Sequence, residues 1–233
     1  MRFSVARATN SAGTPRDVIV KLNETIRKAS TDGDVTSVAT ASLAGQRAVA
    51  FANAAGVTIA MPAMTDPHFA RTLTFICEHN EQGALGVVVN RPIDMTLQTL
   101  LKQIEIECQS GKPAETPIHY GGPVQIDRGF VLHSPAGSWN STLVVNENIG
   151  LTTSKDILEA VACGEGPQSM LVTLGYAGWG EGQLDGEMKR HGWMPVEGDD
   201  ALLFDTVAEE RWTKGFAADG VDARLLSPEA GHA

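Results

Sequence analysis

From residue 57 onward, short β-branched apolar runs alternate with segments of helical periodicity. The run SMLVTLGYAGW at residues 169–179 is the most apolar of them, which predicts a strand at the centre of a sheet. Short turns rich in Gly, Pro and Asn separate the runs. Strands and helices that alternate over short connections predict an α/β (mixed α+β) fold in which helices cover a mixed sheet.

Each run predicts one element of that fold. Strands are expected at residues 57–64, 71–79, 83–92, 118–123, 129–135, 141–153, 169–179, 193–196 and 201–205. Helices are expected after a cap at Asp94, and at residues 154–164, 183–192 and 207–220. Thr206 and Glu209 have the spacing of a capping box for the last helix. Helices interleaved with strands in this way are expected to cover the faces of the sheet.

Residues 1–56 differ in pattern and predict a helical extension followed by a linker. Thr14 and Pro15 are suited to begin a helix, whereas residues 36–56 are small, Ala-rich and weakly patterned. We therefore expect an N-terminal extension at 1–56 and one α/β domain at 57–233. Residues 13–46 resemble a fragment of the solute-binding receptors of tripartite tricarboxylate transport. Either a gene-fusion relic or an upstream start-site error would account for that fragment.

The charge distribution argues against direct DNA binding. The chain has 18 Lys and Arg against 28 Asp and Glu, and a formal net charge of −10. Residues 1–50 carry 7 basic and 4 acidic side chains, which leaves 11 basic and 24 acidic side chains, a net charge of −13, in residues 51–233. An acidic surface repels the phosphate backbone of nucleic acids. We therefore expect a protein partner or a small ligand instead.

Hydropathy and cysteine content indicate the cytoplasm. No run of about 18 apolar residues is present, so no membrane-spanning helix is predicted. The N-terminal residues lack the apolar core of about 7–15 residues that a secretory signal has. The three cysteines have no C-x-x-C spacing, which favours reduced thiols and predicts neither a disulfide framework nor a structural zinc site.

Polar residues near strand ends are the first candidates for a ligand site. Asn90 and Arg91 end a buried run, the position at which open α/β sheets bind ligands. His79 ends a strand, and Cys77, two residues earlier, is expected on the same face but in a structural role. Arg128 follows a predicted turn and is a candidate contact for a carboxylate or phosphate. A solvated surface position is the favoured alternative for Arg128.

The glycine-rich segment from Gly175 to Gly182 is the second candidate. It follows the most apolar strand and precedes a predicted helix, where backbone N–H groups bind anions, and Gly178, Trp179 and Gly180 lie at its centre. Its spacing matches neither the dinucleotide fingerprint nor the phosphate loop, so glycines that let Trp179 pack closely are the favoured alternative. The common hydrolase, zincin and deaminase motifs do not occur in the sequence. No catalytic residue, cofactor or metal site is therefore predicted.

Four segments resemble the AlgH/YqgE family of small bacterial proteins. They are MPAMTDPHF at 61–69, CEHNEQGALGVVVNRP at 77–92, YGGPVQIDRGFVLH at 120–133 and GYAGWGEGQLDGEM at 175–188. The resemblance extends over residues 57–233. It implies a cytoplasmic protein with a mixed, partly barrel-like sheet covered by helices, and a role in regulating transcription. It implies no catalytic residue and no cofactor.

Two functions from different classes are open. The first is a regulatory protein of the AlgH/YqgE type that affects transcription indirectly through a protein partner or a small ligand. The second is an enzyme, or a nucleotide- or anion-binding protein, that uses the turn from Gly175 to Gly182. The absence of a catalytic motif favours a protein that is not an enzyme, and convergence of the candidate residues in one pocket would favour the second function. A module whose turn residues only specify the fold is a third alternative.

Overall fold

The computed structural model describes residues 56–107, 115–196, 198–223 and 226. The strands in these ranges are β1 Gly56–Ala60, β2 Leu73–Asn80, β3 Gly83–Val88, β4 Pro92–Thr96, β5 Pro117–Tyr120, β6 Val124–Ser134, β7 Thr142–Val144, β8 Gly150–Thr152, β9 Ser169–Trp179 and β10 Trp193–Val196. The helices are α1 Leu97–Gln103, α2 Lys155–Ala162, α3 Gln183–Lys189 and α4 Ala208–Ala218, with a π-helical turn at Ala201–Asp205. None of the helices in these ranges is long and apolar enough to cross a membrane. The predicted extension at 1–56 lies outside the described residues, apart from its last residue.

The strands form one curled, mostly antiparallel sheet with the shape of half a barrel. Its order is β10-β1-β2-β3-β9-β6-β8-β7, and β4 pairs with β5. β9 lies at the centre, as its apolar sequence predicts, because it pairs antiparallel with β3 and β6 and parallel with β5. The predicted mixed, partly barrel-like sheet with covering helices is therefore confirmed.

Both faces of the sheet are buried, since successive residues of a strand point to opposite faces. In β9, Leu171 packs in a cluster with α4 and the π-helical turn, whereas Val172 packs with α1 and α2. Trp179 at the end of β9 packs with Leu184 of α3. The face opposite α4 is thus covered in two parts, one under α1 and α2 and one under α3.

Both predicted helix caps are wrong. Thr96, not Asp94, caps α1, because its hydroxyl oxygen accepts a hydrogen bond from a first-turn amide while Asp94 lies within β4. Val207 occupies the cap position of α4, without a side-chain hydrogen bond. Thr206 does not pair with Glu209; its hydroxyl donates to a carbonyl oxygen of the π-helical turn at 3.1 Å. Competing local hydrogen bonds therefore decide where these helices begin.

Two predicted strands differ for a similar reason. Residues 141–153 form two strands, β7 and β8, since the Asn146 side chain accepts hydrogen bonds from two following amides and turns the chain between them. Residues 201–205 form the π-helical turn, where the Asp199 carboxylate accepts a hydrogen bond from an amide at 2.7 Å. A short apolar run does not distinguish a strand from a buried helical turn, so the side chains beside it determine the outcome.

Candidate functional site

A cavity of about 690 Å³ lies between α1 and α2, above the sheet. Its floor is apolar and consists of Val131 from β6 with Val172 and Leu174 from β9. Leu100 on α1 and Leu158 on α2 form apolar walls. Small-molecule sites have volumes of about 300–1,000 Å³ and are mostly apolar with a few polar groups. The cavity therefore has the size and character of such a site.

An irregularity in β6 places polar residues at the rim of this cavity. Pairing with β9 shifts between Val124 and Gly129, so that residues 125–128 stand opposite the single residue Gly175. Gly175 has a φ of +75°, and a Cβ there would lie 2.4 Å from a carbonyl oxygen, so this position requires glycine. The extra residues of β6 bring polar side chains, Arg128 among them, to the rim.

Arg128 is a half-buried cation that no described carboxylate neutralises. Its Nη2 donates to the Thr153 hydroxyl oxygen at 3.3 Å, and within the described ranges it forms no ion pair. Burial raises the pKa of Tyr176, and the positive charge of Arg128 opposes that rise, so Tyr176 lies in the field of the guanidinium. A guanidinium with free N–H donors binds carboxylates and phosphates well.

Lys155, the first residue of α2, is a second cation at the same rim. Its Nζ lies 3.8 Å from the Glu159 carboxylate, and the two side chains are 52% and 55% exposed. An exposed pair of this kind is weak, so Lys155 remains available to an anion. With Asp127 as the one acidic residue of the lining, Arg128 and Lys155 give the rim a positive balance.

Asn90 and Arg91, two of the predicted site residues, hold the segment before β2. The Asn90 side chain binds backbone groups of residues 71–73 at 2.8 and 3.0 Å. The Arg91 guanidinium donates to three carbonyl oxygens of residues 67–70 at 2.8, 2.9 and 2.8 Å. Both side chains therefore satisfy backbone groups of this loop, which explains polar residues at the end of a buried strand.

His79 lies beside α3, and Cys77 does not share its face. The Nε2 of His79 is 3.2 Å from the Asp185 carboxylate, and its Nδ1 is buried without a partner in the described chain. Cys77 packs in the cluster under α4, because a bulge between Ile76 and Glu78 shifts the alternation of β2. Burial raises the pKa of the Cys77 thiol far above its usual range, so the residue packs as an apolar side chain.

The glycine-rich segment is mostly strand and reaches α3. β9 continues to Trp179, and Gly178 pairs with β3. Trp179 is buried, and its indole N–H donates to Glu187 at 3.1 Å. The Gly180 amide donates to the Gln183 side chain at 3.0 Å, so this N–H is already used. The seven predicted site residues thus lie in three places: beside α3, at the loop before β2, and, for Arg128, at the cavity.

The sequence model of the AlgH-like family matches residues 57–224, a span that includes the cavity and α3. The chain belongs to the AlgH-like family. A UPF0301 protein of Nitrosospira multiformis is 56% identical over 175 residues, which are 75% of this chain and 94% of that protein. A UPF0301 protein of Thioalkalivibrio sulfidiphilus is 53% identical over 175 residues, with the same shares. The predicted family membership is therefore confirmed.

Two solved structures are similar to this AlgH-like domain. The solution structure of the AlgH protein from Pseudomonas aeruginosa has a TM-score of 0.64 and 41% identity, and the match covers 85% of this chain and 100% of that one. The crystal structure of a protein from Corynebacterium diphtheriae has a TM-score of 0.54 and 20% identity, and the match covers 69% of this chain and 84% of that one. The second likeness shows the fold alone.

Glu187 is a buried polar centre of the AlgH-like domain that the sequence analysis missed. It is 5% exposed, and its Oε2 accepts hydrogen bonds from the indole N–H groups of Trp179 and Trp193 at 3.1 and 2.8 Å. Its Oε1 accepts from Gln183 at 3.0 Å. A spacing of four residues within a helix does not distinguish such a buried pair from a pair on the helix surface. The structure shows instead a carboxylate whose hydrogen-bonding capacity is used within the fold.

Two histidines in the core of the AlgH-like domain have lowered pKa values. His133 Nδ1 lies 2.9 Å from the Pro135 carbonyl oxygen, so Nδ1 carries the proton and Nε2 accepts from the Thr152 hydroxyl at 2.8 Å. Burial lowers the pKa of His133, and burial next to Arg211 lowers the pKa of His119 to about 4. Among the described residues, no group of three or more His, Cys, Asp or Glu is arranged to hold a metal ion.

Proposed function

We propose that this AlgH-like protein is a non-enzymatic regulatory protein of the cytoplasm that binds a small ligand in the cavity between α1 and α2. The ligand-bound form affects transcription indirectly, through a protein partner. The cavity of about 690 Å³, with an apolar floor and Arg128 at its rim, carries this proposal. The net charge of −13 over residues 51–233 supports an indirect route, because an acidic protein has little affinity for duplex DNA.

The position of the cavity explains how a ligand would act on a partner. Leu100 and Leu158 line it from two different helices, so one ligand contacts α1 and α2 together. Such a ligand stabilises one placement of the two helices on the sheet. A partner that contacts the outer surfaces of α1 and α2 then binds the ligand-bound form with a different affinity, which is the coupling that regulation requires.

The alternative function, an enzyme or a nucleotide- or anion-binding protein at the turn from Gly175 to Gly182, has weaker support. The Gly180 N–H already donates to Gln183. Glu181 is exposed in the same turn, where its negative charge would repel an anion. The cavity, by contrast, offers two cations and an apolar floor.

A thermal-shift screen of the full chain tests the proposal, because a ligand that binds the native state raises the melting temperature. The screen contains divalent metals, nucleotides, carboxylates from acetate to octanoate and a short DNA duplex. One class of small molecule is expected to raise the melting temperature, and the duplex is not. A flat screen would contradict the small-ligand form of the proposal and leave a protein partner as the function to test.

Two matched glycine variants identify the site of any ligand found. Gly129 lines the cavity, has no left-handed φ, and a Cβ there meets no atom within 4 Å. Its cross-strand partner Leu174 faces the cavity, so the Gly129→Leu side chain enters the cavity and is expected to abolish the shift. Gly180→Leu adds the same side chain at the turn, where a Cβ meets Gln183 at 3.8 Å. Loss of the shift in Gly180→Leu but not in Gly129→Leu would favour the alternative function.

A further inference from the structure

We infer that the ligand of the cavity between α1 and α2 is an amphipathic monocarboxylate: its carboxylate binds Arg128, and its apolar chain lies on the floor of the cavity. This inference rests on the proposed function and adds the chemical class of the ligand. Three features of the cavity carry it, namely the state of Arg128, the composition of the floor and the charge balance of the rim.

The first feature is a guanidinium without a counter-ion. The described hydrogen bond of Arg128 goes to a neutral group, the Thr153 hydroxyl, at 3.3 Å. An arginine has five N–H donors in a planar fork that matches a carboxylate in two parallel hydrogen bonds. The bond to Thr153 fixes one Nη atom and leaves the other donors for a ligand. Arg128 is also half-buried, so a carboxylate bound there is less screened by water than on an open surface.

The second feature is the apolar floor of the same cavity. Val131, Val172 and Leu174 face the cavity from two neighbouring strands, and Leu100 and Leu158 flank them. An alkyl or aryl group on these side chains leaves water, and each buried CH₂ strengthens binding by about fourfold. A ligand that is polar throughout would leave this surface without apolar contacts. The floor therefore requires an apolar body on the ligand.

The third feature is the size of the positive charge at the rim. Arg128 and Lys155 are opposed by Asp127 in the lining, and Lys155 also lies 3.8 Å from the Glu159 carboxylate, so the rim has no more than one cation in excess. A monocarboxylate balances that excess. A nucleoside diphosphate or triphosphate brings several negative charges and is typically held by a glycine-rich loop, whereas Gly129 is the one glycine of the described lining. The charge balance therefore favours a single carboxylate over a polyphosphate.

Calorimetric titration of the full-length protein with octanoate, 1-octanol and acetate separates the contribution of the ligand's carboxylate from that of its alkyl chain. Octanoate is expected to bind, because it has both parts. 1-Octanol has the alkyl chain without the charge, and it is expected to bind at least about tenfold more weakly than octanoate, because the charge-assisted contact is lost. Acetate has the charge without the alkyl chain and is expected to bind too weakly to measure.

The variant Arg128→Gln tests the role assigned to the guanidinium. It is expected to weaken octanoate binding by about tenfold to a hundredfold and to leave the binding of 1-octanol unchanged. Arg190→Gln is the matched control, since Arg190 is an exposed residue at the end of α3 and does not line the cavity. Octanoate affinity is expected to be the same in Arg190→Gln as in the unaltered chain. Circular dichroism checks that both variants are folded.

The outcomes distinguish the ligand class from the proposed function. Equal affinity for octanoate and 1-octanol would overturn the inference. An octanoate affinity that is unchanged in Arg128→Gln or in Gly129→Leu would overturn it as well. The inference alone also fails if octanoate does not bind while another class of ligand raises the melting temperature in a way that Gly129→Leu abolishes. If no ligand of any class depends on Gly129, the proposed function fails together with the inference.

Discussion

Acidification is expected to destabilise the domain through His119, a neutral histidine in the core. Its imidazole is 2% exposed, and burial lowers its pKa from 6.5 to about 4. The charge of Arg211 acts in the same direction, whereas hydrogen bonds with the backbone of Val172 and Pro117, and to a smaller extent the charge of Glu209, act against it. Between these two pKa values the unfolded chain binds a proton that the folded chain does not. The free energy of unfolding is therefore at its full value above about pH 6.5 and decreases as the pH falls toward about pH 4.

The size of the effect follows from the interval between the two pKa values. One pH unit within that interval corresponds to about 1.4 kcal/mol, so the whole interval corresponds to about 3 kcal/mol. About 2 kcal/mol of this is expected between about pH 7.5 and about pH 5. Urea unfolding of the unaltered chain and of His119→Gln over that range measures it. Carboxylates and His133 titrate in both proteins, so the difference in slope belongs to His119.

The same acid-induced loss of stability in both proteins would refute this reasoning. The imidazole would then titrate alike in the folded and the unfolded chain, in spite of its burial. His191→Asn is the matched control, since His191 is exposed and has a φ of +55°, which asparagine tolerates. Its pH dependence is expected to equal that of the unaltered chain.

Two substitutions test the packing around α3 and β6. Glu187→Ala is expected to lower the free energy of unfolding by about 3 kcal/mol or more, because two buried indole N–H groups lose their acceptor. Urea unfolding measures this change. The control is Glu181→Ala, at an exposed residue, and its free energy of unfolding is expected to stay within about 0.5 kcal/mol of that of the unaltered chain. Gly175→Ala is expected to lower the free energy of unfolding by about 2 kcal/mol or more, because the residue has a φ of +75° and the added Cβ would lie 2.4 Å from a carbonyl oxygen. Gly129→Ala, with open space and no left-handed φ, is expected to be neutral or slightly stabilising. Equal stability of Gly175→Ala and Gly129→Ala would contradict the account of the β6 irregularity.

The elements that could be predicted are those that local sequence determines. The run at 169–179 is apolar apart from Ser169 and Thr173, and a strand buried on both faces needs such a composition. In α2, Ile157, Leu158 and Val161 have the spacing of a buried helix face, and Gly164, with a φ of +81°, follows the helix end. The wrong boundaries depend on single side chains, such as Asn146, that hydrogen-bond to the backbone in competition with the expected element.

The cavity could be predicted only in part. Arg128 was a candidate because an arginine after a turn is suited to bind an anion. Lys155 was not, because a lysine in the first turn of an amphipathic helix is typical of a solvated surface. The lining combines α1, β6, α2 and β9, which are distant in the sequence, and the shift in pairing opposite Gly175 has no local signal that fixes its size. A site assembled from such segments depends on strand order, which the sequence pattern does not reveal.

The central place of β9 also sets the order of assembly during translation. β3, β5 and β6 all pair with β9, and all three leave the ribosome before it. Until residues 169–179 emerge, each of these strands has an unpaired edge, which a chaperone or a neighbouring nascent chain can pair with. A change that slows the docking of β9 would therefore reduce the yield of folded protein in the cell, even where molecules that complete folding are as stable as before.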